Sequence, residues 1–115
     1  MHELSIAGSI LDTVEAESAR RPGMRVVKVG VRVGELSGVN AEALQFGFEA
    51  LVKGTHLDPL ALEIEQVPLG HRCSVCAHLF SAQDEVSRCP LCASPEILLV
   101  GGDDLHLAYL EVEDR

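Results

Sequence analysis

The sequence predicts an α/β protein: a small mixed sheet with two helices forms one unit, and a four-cysteine module is inserted into it. Three observations carry this. Two segments repeat apolar residues at helical spacing, and three alternate them at strand spacing. All four cysteines fall between the second and third of those strands. A lone strand near the C-terminal end needs a sheet to join, and the two earlier strands are the nearest candidate. The expected division is residues 1–69 with 103–115 as the α/β unit and 70–102 as the module.

Leu4, Ala7, Ile10, Leu11 and Val14 share one helical stripe, with Asp12, Glu15 and Glu17 off it. They predict an amphipathic helix over Ser5–Arg20 whose last turn, at Ser18 and Ala19, frays. Arg20 and Arg21 suit its C-terminal dipole, and Pro22-Gly23 stops it. Val27, Val29, Val31 and Val33 alternate with Lys28, Gly30 and Arg32, a strand with one buried face. Gly34 to Gly38 reads as a turn. Asn40 fits an N-cap with Glu42 in the first turn, and Leu44, Phe48, Leu51 and Val52 form the second helix's stripe. Gly54 fits the residue just past its end. Leu62-Glu63-Ile64-Glu65 is a second strand, broken by Pro68-Leu69-Gly70. After a turn at Gly101 to Asp104, Leu105 to Glu113 is the last strand. Its alternation slips phase between Leu107 and Leu110, the sign of a bulge or an edge.

The 115 residues, 47% hydrophobic, suffice for one compact domain with a small appended module. Aromatics are only 3%, so packing rests on Val, Leu, Ile and Ala. No stretch approaches the roughly 20 apolar residues of a membrane span. Met1-His2-Glu3-Leu4 has no signal-peptide character, so a cytoplasmic protein with reduced thiols is expected. A net charge of −9 disfavours nucleic acid and suits a protein partner or a cation.

The cysteines form two pairs, Cys73-Ser-Val-Cys76 and Cys89-Pro-Leu-Cys92, separated by 12 residues from Ala77 to Arg88. Two intervening residues let both thiolates of one tight turn face a common centre. Two such turns supply the four soft donors of a closed, structural zinc site. Two disulfides are an alternative that needs an oxidising compartment, and a redox Cys-x-x-Cys is another, although one pair suffices for that chemistry. His2 is the second chemical feature. Its bulk should keep Met1 in place. The Met1 amine, the His2 backbone nitrogen and imidazole, and the Glu3 amide could then offer a planar nitrogen set, which favours Ni(II) or Cu(II) over Zn(II). A solvated terminal histidine is the plain alternative.

Together these residues resemble the HypA/HybF family of hydrogenase maturation proteins. The resemblance runs through Met1-His2-Glu3-Leu4-Ser5-Ile6, Gly34-Glu35-Leu36-Ser37-Gly38, Ala43-Leu44-Gln45-Phe46-Gly47-Phe48-Glu49, Leu62-Glu63-Ile64-Glu65 and both cysteine pairs, nearly the whole chain. It implies a nickel metallochaperone that delivers Ni(II) to the [NiFe]-hydrogenase large-subunit precursor. The GTPase HypB is the implied partner, and urease accessory proteins are a further possibility within the family. It implies His2 as nickel ligand, assisted by Glu3 and the terminal amine, and Cys73, Cys76, Cys89 and Cys92 as zinc ligands. The implied fold is an α/β nickel-binding domain with a small zinc domain. Two departures matter. Some relatives carry an Asp where this chain reads Val39-Asn40, and Asn40 cannot supply a carboxylate. Some carry histidines beside both cysteine pairs; here His78 follows the first, but Ala93-Ser94 follows the second.

His71 and His78 flank the first pair, open to a spare-donor role but not counted among the zinc ligands, while His56 and His106 read as surface or strand positions. Glu35 reads as a turn carboxylate or a partner contact, and Glu63 and Glu65 as a solvated strand face. No nucleophile–base pair or phosphate loop stands out, so no catalysis is expected. The competing classes are a zinc-ribbon interaction module, which predicts a basic face, and a thiol oxidoreductase, which predicts a reactive cysteine.

Overall fold

The computed structural model describes residues 2–81 and 87–115. In chain order these form α1 (His2–Arg20), β1 (Met24–Gly34), α2 (Ala41–Val52), β2 (Ala61–Val67), β3 (Gly70–Cys73), β4 (Leu79–Ser81), β5 (Ile97–Gly101) and β6 (Leu105–Asp114). β1 is the middle strand of a sheet ordered β2-β1-β6, parallel to β2 and antiparallel to β6. The chain between β2 and β6 makes a second sheet, β4-β3-β5, antiparallel throughout. The mixed sheet, the two helices and the inserted cysteine unit thus agree with the expected fold class.

Valine-rich β1 is buried because both its edges are paired and both helices cover one face. Ala7, Ile10 and Val14 of α1 meet Leu44, Phe48 and Val52 of α2 over Val29, Val31 and Val33. Asn40 caps α2 as expected: its Oδ1 accepts the Ala43 N–H at 3.0 Å, and Gly54 beyond the helix has φ +79°.

Several local expectations are corrected. α1 begins at His2, not Ser5, and its last turn holds, with Arg20 pairing with Glu17 at 3.0 Å. Leu4 and Leu51, placed on the apolar stripes, lie exposed at 48% and 39%. Val26, not Val27, is buried at the start of β1. The reason is a bulge. Partners run from Val26↔Val112 to Lys28↔Glu111, leaving Val27 as the extra residue. A second bulge, from Gly30↔Tyr109 to Val31↔Leu107, leaves Ala108 extra on β6 and accounts for the phase slip there. Each bulge restores the inward face, so Val26/Val112, Val29/Leu110, Val31/Leu107 and Val33/Leu105 all meet across the strands.

The outer face is polar but paired. Arg32 reaches Glu65 at 3.1 Å and Lys28 reaches Glu63 at 3.9 Å, so these glutamates are more than a solvated edge. The Tyr109 ring occupies the space that a Cβ on Gly30 would need. Its hydroxyl donates to Glu63, and that bond helps push the phenol up to about 12.

One turn holds both chain passages to the cysteine unit. Gly34 N–H donates to Asp104 O at 2.7 Å, Leu36 N–H to Gly102 O at 2.6 Å, and Glu35 N–H to Val67 O at 2.9 Å. The Glu35 carboxylate accepts the Leu69 N–H at 3.2 Å, so this turn carboxylate is a structural clamp. Gly102 has φ +85°, and a Cβ there would lie 2.7 Å from Leu69 Cα and Pro68 O.

Two stability outcomes follow. Phe48→Ala, at a fully buried ring, should cost about 3–5 kcal/mol in urea unfolding, whereas Phe46→Ala, at a ring 75% exposed, should change it by less than about 0.5 kcal/mol. Gly102→Ala should lower the unfolding midpoint by about 1–3 kcal/mol equivalent, because both the backbone conformation and the close passage forbid a side chain.

Candidate metal centres

The two cysteine turns are near copies. Cys73 Sγ accepts N–H bonds from Val75 and Cys76 at 3.4 and 3.5 Å, and Cys89 Sγ accepts that of Leu91 at 3.3 Å. Ala77 N–H donates to Cys73 O, and Ala93 N–H to Cys89 O. Ala77 and Ala93, each directly after a second cysteine, both take left-handed backbones, φ 65° and 64°.

All four sulfurs lie within 4.8 Å of one another. The closest contacts cross between turns, Cys73–Cys92 at 3.5 Å and Cys76–Cys89 at 3.7 Å. Disulfides, at about 2.05 Å, do not fit these distances. Zinc–sulfur bonds of about 2.3 Å span a tetrahedral edge of about 3.8 Å, close to those observed. Electrostatics agree. The Cys76 and Val75 N–H groups hold the Cys73 thiol down at about 6. The Ser94 N–H also lowers Cys92, but bonds to the neighbouring thiols and burial outweigh it and push Cys92 up to about 12. Four crowded thiols resist collective ionisation, and a central dication offsets that cost. The donors therefore fit a closed tetrahedral ion.

His71 and His78 do not join this group. Both rings stack on Phe80, at 5.4 and 5.8 Å between centroids, and pack the module rather than face its sulfurs. His71 Nδ1 is buried without a hydrogen-bond partner among the described residues.

The second candidate centre is the start of α1. His2 is exposed in the first helical turn, where backbone N–H groups have no intrahelical acceptor. Glu3 reaches across to α2: its Oε2 accepts the Asn40 N–H at 3.0 Å. That bond holds the Glu3 carboxyl below its ordinary 4.5. Asn40 spends its side-chain oxygen on the cap of α2, where it accepts the Ala43 N–H. The Glu3–Asn40 tether is not visible in the sequence; the two are 37 positions apart. Met1, whose amine the sequence offers as a further donor, lies outside the described residues. His2 also stands at one end of a groove of about 580 Å³ between α1 and β6. His56 pairs with Glu15 at 2.8 Å, and His106 lies 3.8 Å from Asp104, both remote in chain from either centre.

A mixed sheet under two helices, joined to a four-thiol cage, defines a small metal-binding α/β protein. The chain matches the family model described as "Hydrogenase/urease nickel incorporation, metallochaperone, hypA" over residues 1–112, and it belongs to that family. It is 43% identical over 115 residues to the hydrogenase maturation factor HypA of Roseiflexus, covering 99% of this chain and 94% of that protein. It is 37% identical over 113 residues to that of Alkalilimnicola ehrlichii, covering 98% and 100%. The solution structure of the Ni metallochaperone HypA from Helicobacter pylori shares the fold, with a TM-score of 0.63, 22% identity, and 98% of each chain covered. A second HypA solution structure matches at a TM-score of 0.72 and 23% identity, covering 96% and 95%. The chain is accordingly of the nickel metallochaperone class that serves hydrogenase maturation. No described helix is long and apolar enough to cross a membrane.

The Glu3 carboxyl is depressed in the folded state, so its tether stabilises the protein above the unfolded-chain value and is lost as pH falls through the folded one. A carboxyl NMR titration should place the Glu3 midpoint below 4.5, and Asn40 amide exchange should accelerate below that midpoint.

Proposed function

We propose that this chain carries Ni(II) at its N-terminus and delivers it for [NiFe]-hydrogenase maturation, with zinc as a structural ion in the cysteine cage. The observation that carries the reading is the pairing of an exposed His2 at a helix start with a Glu3 already oriented by Asn40. The Asn40 N–H fixes one Glu3 carboxylate oxygen, one residue along the first helical turn from the imidazole. Amine and imidazole donors must lose protons to bind, so nickel affinity falls as pH drops. A site with few protein anchors can hand its ion on by ligand exchange, whereas four thiolates close zinc's shell and leave no position for a recipient.

The same reading divides the chain at residues 1–69 with 103–115 and 70–102, one part for each ion. Zinc would be held by Cys73, Cys76, Cys89 and Cys92, and its binding would supply folding free energy to a module with few apolar residues of its own. The recipient is the hydrogenase large-subunit precursor, with the GTPase HypB as co-worker. Urease accessory proteins are further partners consistent with the family's description. The place of action is the cytoplasm, and the chain carries no catalysis of its own.

His2→Ala should abolish Ni(II) binding in calorimetry while zinc content and circular dichroism stay as in the parent; retained nickel affinity would remove His2 from the site. Cys73→Ser should lower zinc content by elemental analysis and loosen β3–β5 in hydrogen exchange, leaving α1 and α2 protected. Undisturbed zinc in that variant would exclude the four-sulfur cage.

A further inference from the structure

The first turn of α1 is seated on α2 at two points. One is the Glu3–Asn40 bond. The other lies one residue further on, where Leu4 rests on Gly47, a buried residue in the middle of α2. A Cβ on Gly47 would stand 3.4 Å from Leu4 Cδ1 and 3.8 Å from Leu4 Cα. A methyl group would just touch both atoms, and a larger side chain would press on the α1 backbone. Glycine weakens a helix interior, because it gives up more backbone freedom on folding than any other residue. At Gly47 that cost accompanies the close approach of the other helix. α1 meets the core through Ala7, Ile10 and Val14, whereas Leu4 is 48% exposed. The Leu4–Gly47 contact therefore bears on where α1 begins more than on the core. His2 and Glu3 immediately precede Leu4.

We propose that Gly47 is a positioning residue for nickel: by letting α1 rest directly on α2, it holds His2 and Glu3 in the arrangement that takes the ion. The proposal rests on the nickel reading above and concerns how well that site is organised before the ion arrives. Donors already ordered in the folded protein lose less freedom on binding than the same donors on a loose chain end. Two anchors supply that order here, one polar at Asn40 and one apolar at Gly47. The size of residue 47 then sets the seat. A hydrogen or a methyl group preserves it. A β-branched side chain has little rotamer freedom in a helix and extends one bond further towards Leu4, so it lifts the first turn and strains the Glu3–Asn40 bond.

The test compares Gly47→Val with Gly47→Ala in the zinc-loaded protein. Ni(II) affinity is read by calorimetry, Ni(II) release to a chelator by stopped-flow absorbance, and the seat by Asn40 amide exchange. Gly47→Val should weaken Ni(II) binding by about ten-fold or more, speed its release and accelerate Asn40 exchange, while the amides of Ala7, Ile10 and Val14 stay protected. The conservative Gly47→Ala should keep the affinity within about two-fold of the parent. Leu4→Ala removes the Cδ1 contact from the other side, at a half-exposed position, and should weaken Ni(II) binding in the same direction. It carries the test if Gly47→Val does not fold. Faster Asn40 exchange with unchanged Ni(II) affinity would overturn the proposal, as would equal weakening by Gly47→Ala and Gly47→Val. His2→Ala is measured alongside. If it keeps the parent's affinity, the functional reading fails and takes this proposal with it. Nickel lost with His2 but indifferent to Gly47→Val and Leu4→Ala removes Gly47 alone.

Discussion

The turn from Gly34 to Leu36 is the constraint on which the remaining architecture depends. Chain passes once from the α/β unit into the cysteine unit and once back, and both passages hydrogen-bond to this turn. The turn ends the central strand β1, so its position is set by the best-packed element of the core. Beyond it the chain runs directly to Val39 and Asn40, the latter holding Glu3. One continuous stretch therefore touches the entry to the sulfur cage, the rim of the groove and the beginning of α1. Backbone bonds and a close glycine passage form most of this framework, and the Glu35 and Glu3 carboxylates add two side-chain bonds to backbone N–H groups.

The two candidate centres differ in the way their proposed ions differ. Sulfur donors on hairpin turns, each held by N–H bonds, make an enclosure that fixes its own geometry. A histidine on an exposed first helical turn makes a site with open approach. Burial reinforces this within the cage as well: Cys73 and Cys89 are buried, while Cys76 and Cys92 are exposed.

Much of this was legible in the sequence, for physical reasons that can be named. Val29, Val31 and Val33 announce β1 because a strand buried on one face needs period-two apolarity. Asn40 and Gly54 announce the ends of α2 because few residues satisfy those positions. The paired cysteines announce their cage because metal geometry dictates the spacing. The misses have causes too. Periodicity read Val27 as buried because a bulge is invisible until the partner strand is known. The start of α1 was set three residues late because His2 and Glu3 lie off the apolar stripe. Glu3–Asn40 and Glu35–Leu69 were hidden because each joins positions more than thirty apart. No local pattern encodes such a contact.

The unequal exposure of the cysteines gives the cage an outside and an inside. A thiol-seeking electrophile or a competing chelator arriving from solvent meets Cys76 and Cys92 first. Cys73 and Cys89 lie behind them, each shielded by its own turn. Dismantling would then be ordered, beginning at the outer sulfurs and reaching the inner pair only after the turns themselves have opened.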